Sequence, residues 1–152
     1  RVQERTGRFA AGDKQLHLAC ELAWHVHTMA QHAPSADLYL MTYNSPSIAA
    51  KLLVNQIEQS KEVFGHRFSG DDHGQGEQLS DEDYKIYAMC TRGLMQSISL
   101  QAVSETLDNP DQLICKSLKM LFKVMNTPAA EITQVLENLE QLKISEKVAE
   151  AL

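Results

Sequence analysis

"HLACELAWHVHTMAQH", residues 17–32, sets four histidines and one cysteine into sixteen positions. Two readings compete: a metal or catalytic centre, or one helix rich in imidazole. At about 100° per residue, Leu16, Cys20, Ala23, Val26, Ala30 and Ala33 share a broad apolar side, and His27 falls among them. His17, Glu21, His25, Thr28 and His32 fall opposite. The four histidines therefore do not converge. The second side is expected to be solvated, with weak Glu21–histidine pairing worth a few tenths of a kcal/mol per pair.

Working outward, Asp13 is a good N-cap for this helix, which is expected to run to about Ala33, just before Pro34. "ADLYLMTY", residues 36–43, fits either two helical turns or a short strand. Helix starts then recur at Pro46, Pro110 and Pro128, each proline preceded by a Ser, Asn or Thr able to cap. "SDED" from Ser80 resembles a capping box with Asp83 in place of the usual Glu. Its helix is expected to reach about Leu107, with a kink or a close helix contact at Gly93. "ISEKVAEAL" closes the chain as a short helix capped by Ser145.

The later patterns are amphipathic. Leu113, Ile114, Leu118, Leu121, Val124 and Met125 share one side, as do Ile132, Val135, Leu136, Leu139 and Leu142. Leu118 and Leu136 are expected core positions. No segment alternates with period two. The expected fold is all-α: an irregular bundle of about five to seven antiparallel amphipathic helices, with a short α-solenoid of stacked helix pairs as the alternative.

The chain, residues 1–152, is expected to form a single helical domain. "GHRFSGDDHGQGEQLS", residues 65–80, holds four of the seven glycines and reads as a flexible loop at about 65–79. It either separates subdomains 1–64 and 80–152 or lies on the surface of one.

Bulk properties narrow the function. At 152 residues a compact domain buries about 70% of its unfolded surface, so neither disulfide nor metal is required. The net charge of −6 argues against a domain-wide nucleic-acid footprint and against anionic lipid. Cys20, Cys90 and Cys115 stand far apart without a CxxC pair, which favours a reducing, intracellular compartment such as the cytoplasm. No apolar run is long enough to span a membrane. The opening Arg1, in place of Met, suits an excised piece of a longer chain.

Candidate chemistry is sparse. His17, Glu21 and His25 stand at successive i, i+4 spacings, a pattern that can bind a divalent ion only with help from another helix. Asp71, His73, Gln75, Gly76 and Glu82 occupy EF-hand positions, but His73 and Gln75 are poor calcium ligands and Gln78 replaces the usual aliphatic. Lys116, Lys119 and Lys123 form a basic stripe opposite an apolar side, suited to an acidic partner or simply to solvent. His27 is expected at the core edge, bonded to a carbonyl, and Trp24 as a packing residue. The six methionines, including Met89, Met95, Met120 and Met125, are expected in the core, or else in a groove for a partner helix. GxSxG, P-loop and GxGxxG patterns are missing.

The leading expectation is a non-catalytic protein-interaction domain, an adaptor, scaffold or regulatory subunit, needing no cofactor. Its partner would be another protein, a second copy of the chain included, reached through a groove or face between helices. A metal- or small-ligand-binding protein using His17, Glu21 and His25 is the first alternative. A nucleic-acid-associated regulator using the three lysines is the second.

Overall fold

The computed structural model describes residues 13–65 and 79–152. The Gly-rich reading of the loop, and the EF-hand positions Asp71, His73, Gln75 and Gly76, fall outside the described residues. Among those described there are seven helices and no strand. They are α1 (Lys14–Gln31), α2 (Ala33–Asn44), α3 (Pro46–Phe64), α4 (Asp81–Ser104), α5 (Pro110–Val124), α6 (Ala129–Gln141) and α7 (Ile144–Ala151).

Local capping explains several boundaries. Asp13 Oδ1 accepts the backbone N–H groups of Gln15 and Leu16, each at 3.0 Å, and so starts α1. The Ser80–Asp83 capping box is complete: the Asp83 N–H donates to Ser80 Oγ at 3.2 Å, and the Ser80 N–H donates to Asp83 Oδ2 at 2.6 Å. The same Ser80 N–H holds the Asp83 carboxyl below its ordinary pKa. Asn109 Oδ1 accepts from the Gln112 N–H at 3.0 Å and starts α5.

Other boundaries differ from the expected ones. α1 ends at Gln31, where His32 turns extended, and α2 begins at once. Pro34 therefore sits in the first turn of α2, where its missing N–H needs no partner, and does not simply follow a stop. "ADLYLMTY" is helical, inside α2. Ser45 gives α3 no side-chain cap bond, and Pro128 precedes α6 instead of opening it. α4 stops at Ser104, three residues short of Leu107. Gly93 is neither a close contact nor a terminus: a Cβ added there would meet nothing within 4 Å. α7 begins after Lys143, held in the left-handed region at φ 50°, so Ser145 lies within the helix instead of capping it.

α1 is the hub of the bundle and packs against all six other helices. From Gln15 to Ala30 none of its residues is exposed. α2, α3 and α4 pack on one another and on α1, and α5, α6 and α7 each pack on α1 as well. In a solenoid each unit touches only its neighbours in the stack. Contact of one helix with every other, near and far in sequence, makes this a bundle. An aromatic seam joins helices from both sides of residues 66–78: Phe64 of α3 meets Tyr87 of α4 and Phe122 of α5 edge-on, at centroid distances of 5.4 and 6.0 Å.

The core contains Leu118, only 1% exposed, with Leu121, Phe122, Met125, Ile132 and Val135. Leu136 is half-buried and packs at its edge, which corrects its expected core place. The methionines divide. Met29, Met95 and Met125 are buried, whereas Met41, Met89 and Met120 are exposed. No helix among the described residues is long and apolar enough to cross a membrane.

Candidate functional site

Helix α1 carries two different edges into two cavities. Its polar side was expected to be solvated. His32 is exposed as expected, but α2, α3 and α4 cover the middle of that side, where Glu21, His25 and Thr28 line a cavity of about 560 Å³. That volume lies within the usual range for small-molecule sites. α2 contributes Leu38, Tyr39, Thr42 and Tyr43; α3 contributes Leu52, Asn55, Gln56 and Gln59. Tyr87, Thr91 and Met95 of α4 and Leu118 and Leu121 of α5 complete the walls. Of the described lining residues only Leu38 and Asn55 are exposed.

The polar groups are specific in their pairing. Gln59 Nε2 donates to Glu21 Oε2 at 2.7 Å, so the partner of Glu21 is an amide from α3 and not a neighbouring histidine. His25 Nδ1 and the Tyr39 hydroxyl are hydrogen-bonded, and their rings meet edge-on at 5.1 Å. Burial lowers the His25 pKa to about 4, so the imidazole is neutral at physiological pH. Burial raises the Tyr43 phenol to about 12 and pushes Tyr39 and Tyr87 higher still, so all three stay protonated. Thr28 Oγ1 and Gln56 Oε1 are buried without a hydrogen-bond partner. An unmet buried polar atom of this kind costs about 1–3 kcal/mol.

The structure brings Glu21 and His25 to one cavity, but His17 is not among its lining residues. Among the described residues no group of three or more His, Cys, Asp or Glu side chains is placed to hold a metal ion. His32 bonds Ser35 Oγ through Nδ1 at 2.8 Å in the exposed turn between α1 and α2.

On the opposite edge of α1, Ala23 and His27 line a second cavity of about 680 Å³ with α5, α6 and α7. His27 is buried, and its Nε2 meets Asp111 Oδ1 at 3.0 Å, so a carboxylate and not the expected carbonyl is its partner. Burial lowers the His27 pKa, while Asp111 opposes that shift. Glu137, Glu140, Glu146, Lys119 and Lys143 line the same cavity, and all five are exposed. Cys115 lies there too, half-buried. Lys116, Lys119 and Lys123 are all exposed along α5, and Lys119 shares its cavity with those acids. Cys20 is enclosed in the core, where burial pushes its thiol up to about 11 and suppresses the reactive thiolate. Trp24 is buried, as a packing residue should be.

Sequence reasoning missed Tyr39, Tyr43, Gln56, Gln59 and Tyr87 as site residues. One signal was available: once 36–43 is helical, Tyr39 and Tyr43 stand at i, i+4 and share a face. Nothing comparable in the sequence links them to Glu21 or Tyr87. No family model, curated protein or solved structure matches the chain.

Proposed function

We propose that this protein is a small-molecule-binding helical domain whose site is the cavity between α1 and helices α2–α4. The observation that carries the reading is the partly covered polar line of α1. Glu21, His25 and Thr28 face apolar walls and neutral hydrogen-bonding groups, with two buried polar atoms left unpartnered. Binding sites commonly combine apolar walls with a few convergent polar groups in this way. A fragment screen by ligand-observed NMR tests it. Hits should lose their signal in Leu52→Trp, which fills the cavity from α3, while circular dichroism shows the variant still helical. A full screen without any such hit would end this reading.

A second reading, the protein-interaction domain, draws on a different observation. Ile86, Met89, Leu100 and Val103 are exposed along α4 at near-heptad spacing, with the open Gly93 between them. Capture of a partner that Ile86→Lys/Leu100→Lys abolishes would favour it.

A further inference from the structure

We propose that the cavity between α1 and α2–α4 selects an organic monocation, an amine or quaternary ammonium carried on a compact apolar body. The inference rests on the small-molecule reading above and adds the sign of the ligand's charge. Among the described residues that line the cavity there is no Lys or Arg, and Glu21 is the single carboxylate. Gln59 occupies one of its oxygens, at 2.7 Å from Oε2, and leaves Oε1 for a donor from the ligand. His25 is neutral and so does not already neutralise Glu21. Tyr39, Tyr43 and Tyr87 supply three aromatic rings, whose faces attract cations. Leu18, Leu22, Leu52 and Leu121 supply apolar wall for the body of the ligand. An anionic ligand would set a second negative charge beside Glu21 with no cationic side chain among the described lining residues to receive it. A neutral ligand could bind the walls and donate a hydrogen bond to Glu21, but it would leave the negative charge uncompensated.

Three probes with one shared body separate these cases: phenylbutylamine, phenylbutanol and phenylbutyrate, titrated calorimetrically at neutral pH. The amine should bind about tenfold or more tightly than the alcohol, with the carboxylate weakest. Glu21→Gln keeps the shape and the bond to Gln59, and should bring the amine down to the level of the alcohol while leaving the alcohol unchanged. If that variant does not fold, the ranking on the unaltered protein decides alone. Equal affinity for amine and alcohol, or an amine preference that survives Glu21→Gln, overturns the charge inference and leaves the small-molecule reading standing. Failure of all three probes, together with a fragment screen in which no hit depends on the cavity, removes both.

Discussion

The two flanks of α1 handle polar chemistry in opposite ways. On the α2–α4 flank, Glu21, His25 and three tyrosines are held largely away from water, and only Leu38 and Asn55 of the lining are exposed. On the α5–α7 flank the charges are more numerous, but Asp111, Glu137, Glu140, Lys119 and Lys143 all stay exposed. Water and salt screen exposed charges, so the second flank carries many ions at small energetic consequence. The first carries one carboxylate among neutral polar groups, and these weigh more, because a low local dielectric strengthens what is paired and penalises what is not. The more charged flank is therefore not the better candidate for selective recognition.

Four experiments can break or sharpen this contrast. The largest effect belongs to the seam on which both flanks rest. Phe122→Ala removes a fully buried ring packed on Phe64 and should cost about 3–5 kcal/mol in urea denaturation. A loss below about 1 kcal/mol would mean that the flanks are joined elsewhere.

Next comes pH. The folded His25 pKa, lowered from 6.5 to about 4, means that the unfolded chain takes up the proton first as pH falls. Stability is thus fully present above about 6.5 and is lost towards 4, by about 2–3 kcal/mol. His27 is shifted the same way, against the pull of Asp111, and adds to the slope with the same sign. Chemical denaturation across this range should show His25→Gln flattening most of the slope. If His27→Gln flattened it instead, the desolvated flank would have been misassigned.

Thr28→Val tests the same flank more gently. It replaces an unpartnered buried hydroxyl with a methyl of similar shape, and should raise stability by about 1 kcal/mol. Destabilisation would show that the hydroxyl is satisfied in solution. The smallest effect is expected across the helix. Asp111 is 81% exposed, so Asp111→Asn should change the folding free energy by less than about 1 kcal/mol. A larger loss would make the His27–Asp111 pair a structural tie and erase the difference between the flanks.

Much of the local architecture was legible in the sequence. Asp13, the Ser80–Asp83 pair and Asn109 start their helices as read, because a cap involves residues only two or three apart. Leu118 and Val135 are core as their spacing implied. Ser145 misled because the tight α6–α7 turn is closed by the left-handed Lys143 instead of by a hydroxyl cap. Met41, Met89 and Met120 misled because apolar type alone does not say which helix face finds a neighbour.

By itself, the sequence determined that this chain is helical, where most of its helices begin, and which residues share a side. Those are matters of backbone hydrogen bonding and of a rotation of about 100° per residue, settled within a few turns. Only the tertiary structure decided that α1 lies at the centre, so that Glu21 and His25 face a cavity and not water. Burial belongs to whatever packs on top of a face. For α1 those covers are Tyr39, Gln56, Gln59 and Tyr87, brought from three other helices by packing that no local pattern encodes.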